Sequence, residues 1–143
     1  MYNLRKSKAG FTLIELMVVV AIIGVLALLG LRMYTGQQEK AKNAIVKANV
    51  GTIQTLIQAE LADTTATKVN TMWTDGSMIT SSGIHNPVGG ALQTTKGVAL
   101  SGAGAGDVYV TQGTSDTNKF FINAATAGDK DKNVYDEPLT SHK

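Results

Sequence analysis

The stretch SKAGFTLIELMVVVAIIGVLALLGLRM, residues 7–33, decides how the rest of the chain is read. From Leu16 to Leu31 no residue is charged or strongly polar. With Phe11 to Ile14 in front, the apolar run reaches about 20 residues, the length that spans a hydrocarbon core ~30 Å thick. A core helix this uniformly apolar would need a large domain around it. The polar, Gly/Thr/Ser-rich remainder of a 143-residue chain is too small to wrap one. The run therefore reads as a membrane-inserted helix. Ahead of it Arg5, Lys6 and Lys8 form a basic stub. Such a stub keeps the N-terminal end cytoplasmic by the positive-inside rule and sends the bulk of the chain to the other side.

Two details do not suit an ordinary anchor. A secretory signal carries its small-residue cleavage site after the apolar run, whereas the pair Ala9-Gly10 stands before it. Cleavage after Gly10 would remove the basic stub, keep the helix and expose the amine of Phe11. The second detail is Glu15, a carboxylate near the start of the run. It would cost ~2.5–3.5 kcal/mol at the centre of a span and less near the interface, so it needs a partner. Residues i and i+4 share a helix face, which brings the Phe11 amine of the same chain within reach. The amine of a neighbouring chain would serve equally well and would couple the charge to assembly. A glutamate that snorkels to the interface or stays protonated is the bland alternative.

At these residues the sequence resembles the type IV pilin family. The matching stretch is Gly10-Phe11-Thr12-Leu13-Ile14-Glu15-Leu16, followed by MVVVAIIGVLA. It has the order of a class III prepilin signal: a short basic leader, Gly, an aromatic residue, and Glu five residues into the mature chain. The resemblance implies cleavage after Gly10 by a prepilin peptidase and N-methylation of Phe11. It implies that Glu15 neutralises the N-terminal amine of an adjacent subunit in a homo-oligomeric helical filament. It further implies insertion in the bacterial inner membrane as precursor, an assembly platform there, and an extracellular pilus, or fimbrium, serving adhesion, twitching motility or DNA uptake. The family often carries a proline soon after the apolar segment; none occurs here between Phe11 and Ile84, and Gly30 and Gly36 are the weaker soft spots. Tyr34 matches an aromatic common at that point.

Beyond residue 33 the pattern turns amphipathic. Ala41, Ala44, Ile45, Ala48, Ile53, Leu56, Ile57 and Leu61 recur near helical spacing, with Lys40, Lys47, Gln54 and Gln58 mostly between them. One helix is expected over residues 11–62, roughly 78 Å long, with residues 11–33 as its membrane or filament-core part. Residues 1–10 would be the leader and residues 63–143 a globular head. Residues 63–83 show little periodicity and read as a connecting αβ loop, pinned by Met72 and Trp73. Asn86-Pro87 and Gly89-Gly90 mark a turn. Strand candidates are residues 97–100, 107–112 and 119–124, with 91–95 a fourth; SGAGAG and QGTSDTN read as hairpin loops. The expected class is α+β and pilin-like. Its helix has a protruding apolar half and an amphipathic half packed on a small antiparallel sheet of three to four strands, since neither element buries its face alone.

The totals bound the function. The chain has 13 basic and 11 acidic residues for a formal charge of +2. Without Arg5, Lys6 and Lys8 the acids outnumber the bases by one, so no polyanion-binding surface or direct nucleic-acid site follows. Cysteine is absent, which removes disulfides, thiolate metal sites and cysteine nucleophiles; the C-terminal region must instead be held by hydrogen bonds or packing, with Val134, Tyr135 and Leu139 the candidates. Asp129, Asp131 and Asn133 form a D-x-D-x-N row like the start of a calcium loop. Val134 stands where the loop's glycine belongs and Thr140 where its closing Glu belongs, so the row is a weak calcium candidate and a solvated loop is the better reading. His85 and His142 are far apart, no nucleophile motif occurs, and GAGAG lacks the strand–glycine–helix setting of a nucleotide loop. No cofactor and no enzyme activity are expected. Two alternatives stand beside the pilin reading: a type II secretion pseudopilin, and a single-span membrane-anchored binding domain that never assembles.

Overall fold

The computed structural model describes residues 10–93 and 104–142. The element order is α1 (Leu13–Asp63), α2 (Ala66–Thr74), α3 (Ser77–Ser82), β1 (Val108–Gln112), β2 (Lys119–Ala124) and β3 (Leu139–His142). This is the α+β class expected, a long N-terminal helix with a small antiparallel sheet. The chain divides into two compact units, residues 1–37 and 38–143.

In the second unit α1 buries Val46, Val50, Ile53, Ile57 and Leu61. Steps of four and three residues keep all five on one helical face. The expected stripe is right from Ile53 onward and displaced by one to two positions before it. Ile45 stays 49% exposed and Ala41, Ala44 and Ala48 face solvent, because Val46 and Val50, not Ile45 and Ala48, continue the face of Ile53. Leu56 packs at the stripe's edge.

The sheet has the order β1-β2-β3, antiparallel throughout. Val108 pairs with Ala124 and Val110 with Ile122; Phe120 pairs with Ser141 and Ile122 with Leu139. Alternation along each strand sends these side chains to one face. There they close over the helix stripe, with Val108, Phe120, Ile122 and Ala124 fully buried. Two of the three strands match the expected runs. The third, β3, was not among the strand candidates, and the candidate at residues 97–100 lies outside the described residues. Of the fourth, at 91–95, residues 91–93 are described and hold a bridge between His85 and Leu92 across the Asn86-Pro87 turn; residues 94 and 95 lie outside the described residues. The β1–β2 connection is the expected hairpin loop. Gly113 N–H donates to the Lys119 carbonyl at 2.7 Å, and a Cβ at Gly113 would lie 2.5 Å from the Asp116 carbonyl oxygen.

Residues 63–83 are not a loop. Thr65 caps α2 by accepting from Lys68 N–H, and Ala66, Val69 and Trp73 bury one face at helical spacing. Gly76, with φ +83°, turns the chain into α3, which buries Met78 and Ile79. The many threonines hid this, because their intrinsic helix preference is low; burial of Trp73, 1% exposed, outweighs it. Met72 and Trp73 do pin the segment to the core, as expected.

Side-chain amides hold what a disulfide does not. Gln54 and Gln58 of α1 donate to the carbonyls of Thr140 (3.0 Å) and His142 (3.1 Å) in β3, and the Ser141 hydroxyl donates back to the Gln54 carbonyl. An edge strand otherwise offers such groups to other chains. Buried Asn123 donates to the Tyr135 carbonyl and accepts from Tyr135 N–H, and buried Gln93 does the same with Val108. Each amide takes the part of a missing strand neighbour. Val134, Tyr135 and Leu139 pack against the core, as expected for the C-terminal region.

Candidate functional site

The described part of the first unit, residues 10–37, buries no large apolar side chain. Every large apolar side chain from Phe11 to Met33 is exposed, Phe11 at 86% and Leu28 at 77%. This part of α1 has a mean hydropathy of 2.8 over an 18-residue window, and none of that window is buried. Among the described residues, α1 is the one helix long and apolar enough to cross a membrane.

At its start the backbone is organised by a capping box. Thr12 precedes the first helical residue, and its hydroxyl accepts the Glu15 N–H at 3.3 Å. The Glu15 carboxylate reaches back to accept the Thr12 N–H at 2.9 Å and the Thr12 hydroxyl at 2.7 Å. Orphan N–H groups at the helix start are thereby satisfied reciprocally. The negative charge also lies at the positive end of the helix dipole. Phe11, Ile14, Glu15, Val18 and Val19 line one shallow cleft of about 320 Å³, so the acid and the aromatic share a face. Gly10 and Phe11 are exposed, and a Cβ at Gly10 would meet no other atom. Arg5, Lys6 and Lys8 lie outside the described residues. Thr12 was not singled out as functional from sequence, although the T-x-x-E spacing ahead of an apolar run is itself a readable signal.

The D-x-D-x-N row is spread over separate contacts. Asp129 accepts from Asp131 N–H at 3.0 Å and sits 3.7 Å from the Lys132 ammonium; Asp131 lies 3.8 Å from Lys130. The Asn133 side-chain oxygen is taken by the Tyr109 hydroxyl. Burial pushes that hydroxyl above its usual value of 10. Among the described residues no three His, Cys, Asp or Glu side chains converge as a metal site. This loop docks on α1 instead: Ala127 N–H donates to the Asn43 side chain at 2.7 Å, and Gly128 lies against Glu39 with no room for a Cβ. His142 is paired with Asp116 at 2.8 Å. The hydrogen bond from His142, then that from Asn118 N–H, hold the Asp116 carboxyl below its ordinary 3.8.

Comparison with known proteins bears on the same segment. Residues 5–31 match the model of the prokaryotic N-terminal methylation motif. Over 53 residues (37% of this chain, 33% of the relative) the sequence is 45% identical to the fimbrial protein EcpB of Eikenella corrodens. Over 81 residues (56% and 51%) it is 35% identical to a type IV major fimbrial protein FimA of Dichelobacter nodosus, and over 60 residues (42% and 38%) it is 38% identical to another. The chain thus spans about half or less of the length of the curated relatives it matches. No solved structure matches it. Through its N-terminal segment, by motif and by relatives alike, the chain is similar to type IV fimbrial proteins.

Proposed function

We propose that the chain is a structural, non-catalytic subunit of a type IV pilus filament. Residues 1–10 are a leader that prepilin peptidase removes after Gly10, and Phe11 becomes the methylated N-terminus. The precursor sits in the bacterial inner membrane, oriented by Arg5, Lys6 and Lys8. The assembly platform then draws it into an extracellular fimbrium of identical subunits. Glu15 pairs with the N-terminal amine of an adjacent subunit and sets the axial register, a case of charge giving specificity more than raw affinity.

The observation that carries this reading is the first unit of α1, apolar from Leu16 to Leu31 and exposed along that length, with one acid at its start. Such a surface has two partners of matching chemistry, lipid and other helices of the same kind. Moving directly from one to the other keeps it out of water, which costs ~25 cal/mol for each Å² of apolar surface exposed. Gly24 and Gly30 lie on this unit with open space around them, and glycines let membrane helices approach closely. The fimbrial names of the relatives and the methylation motif support the same conclusion. Electron microscopy of sheared surface filaments, with mass analysis of their subunit, tests it. Filaments built of this chain starting at a methylated Phe11 are expected. A mature protein that keeps residues 1–10 and forms no filaments would instead identify a membrane-anchored binding domain.

A further inference from the structure

The stretch of α1 that follows the apolar run is basic. Between residues 32 and 47, Arg32, Lys40, Lys42 and Lys47 face one acid, Glu39; from residue 48 to the end nine acids face six bases. The positive charge of the chain beyond Leu31 is thus gathered next to the run. The positive-inside rule expects few cations on the exported flank of a span, so orientation does not account for them. Packing does not account for them either. Arg32, Lys40 and Lys47 are exposed and Lys42 is half-buried. Among the described residues none of the four forms an ion pair. Lys47 holds its ammonium 5.6 Å from the centre of the Tyr135 ring, and Glu39 lies against Gly128 of the head.

We infer that this basic stretch binds the anionic phospholipid headgroups of the leaflet on the exported side of the membrane. This rests on the membrane reading of the apolar run given above and adds a lipid class to it. Three features favour a lipid surface over the acidic surface of a second copy. The cations begin at Arg32, directly after the run, where the headgroup region starts. Lys40 and Lys42 are about 200° apart around the helix; a flat protein face meets one and misses the other, whereas a bilayer surface extends to every side. Side chains on a helix tilt toward its N-terminus, which leans these ammonium groups back toward the run, and long lysine stems reach an interface in this way. Clusters of about four or more Lys/Arg beside a span attract anionic lipid, with a strength that fades beyond a Debye length.

The test uses the full chain, one copy to each phosphatidylcholine nanodisc, so that no second copy is present. A fluorophore is attached at Gly36→Cys, where a Cβ meets no atom within 4 Å and no other cysteine competes. A minor share of the lipid is phosphatidylglycerol or phosphatidylcholine carrying a nitroxide near the glycerol. Contact quenching then reads the lipid beside the basic stretch and not the lipid that Arg5, Lys6 and Lys8 gather on the opposite leaflet. At low salt, phosphatidylglycerol should quench about fivefold more than phosphatidylcholine, the scale of one cation held at the headgroups. The preference should vanish in about 1 M salt, where the Debye length is ~3 Å. It should also vanish at low salt when Arg32→Gln, Lys40→Gln, Lys42→Gln and Lys47→Gln are combined. Equal quenching by the two lipids would overturn the proposal, as would a preference that the four substitutions leave unchanged. Absence of a lipid preference, with copies that pair in detergent until the same substitutions are made, would overturn it in favour of a second copy. A fluorophore at Leu28→Cys separates the two levels. If neither lipid quenches it, the run is not in the bilayer and the membrane reading fails together with the proposal. If both quench it while Gly36→Cys shows no preference, the run is inserted and only the lipid class is wrong.

Discussion

The two ends of α1 are made of similar residues and meet opposite fates. Between Leu13 and Met33 the large apolar side chains are exposed, while Val46, Val50, Ile53, Ile57 and Leu61 are 0–1% exposed. Hydrophobicity is the same kind of quantity at both ends, so it does not by itself determine burial. What differs is the pattern. The second unit has one apolar stripe flanked by Asn49, Gln54 and Gln58, whose amides reach across to His85, Thr140 and His142. A stripe of that width is covered by one small sheet and two short helices. From Leu16 to Leu31 the helix is apolar all round, and no single face of a small domain covers a whole cylinder. It has to be surrounded, which calls for lipid or several copies. A stripe that the head covers and a cylinder that it leaves exposed thus follow one another in a single helix.

The contrast can be broken most severely at its cleavage point. Gly10→Val should block removal of residues 1–10, leaving the membrane pool at the unshifted precursor mass and the sheared fraction empty. Next in size is a pair of truncations read by thermal or urea unfolding of the full chain in detergent. Phe120→Ala, at a fully buried position, should destabilise the fold by about 3–5 kcal/mol. Leu28→Ala removes a similar kind of surface from a residue 77% exposed and should leave unfolding within about 0.5 kcal/mol of the native chain. Equal losses from both would mean that the two units do not differ in burial as described.

Smaller effects sharpen the account of the head. Gln54→Ala and Gln58→Ala each remove one donor to β3 and leave a carbonyl to find water, for about 1 kcal/mol apiece. The double variant should unfasten the C-terminal strand first, which hydrogen exchange of residues 139–142 would report. The smallest effect is in acid. Asp116 has a folded pKa lowered by His142 and by Asn118 N–H. The stability it contributes is therefore complete above its ordinary value of 3.8 and is lost as pH falls through the lowered folded value. His142→Ala removes the larger cause, so the acid limb of stability against pH should flatten; an unchanged limb would remove Asp116 from the account.

Much of this was legible in the sequence for a physical reason. The α1 helix, β1, β2 and the turn at Asn86 are written in strong local signals: a long apolar run, alternation, and an Asn-Pro pair. The helices α2 and α3 were missed because Thr, Asn and Ser favour turns locally, and only Val69, Trp73, Met78 and Ile79 packing on distant residues reveals them. The strand β3 was missed because its stability comes from partners far along the chain, Phe120 on one side and Gln54 on the other. The shift of the stripe to Val46 and Val50 has the same origin, since alanine and isoleucine nearby offered an equally periodic face until the sheet selected one. At the candidate site Gly10, Phe11 and Glu15 stood out as chemically odd residues in a uniform run. Thr12 did not, because a threonine at a helix start is ordinary until its hydrogen bonds are seen.

The central claim is that the exposed apolar unit is completed by other copies through the charge on Glu15. Filament yield from Glu15→Val, measured in the sheared fraction beside the amount of protein inserted in the membrane, tests it most directly. The account predicts normal insertion, since the substitution makes the segment more apolar, with filaments abolished or sharply reduced. Normal filaments from Glu15→Val would contradict it.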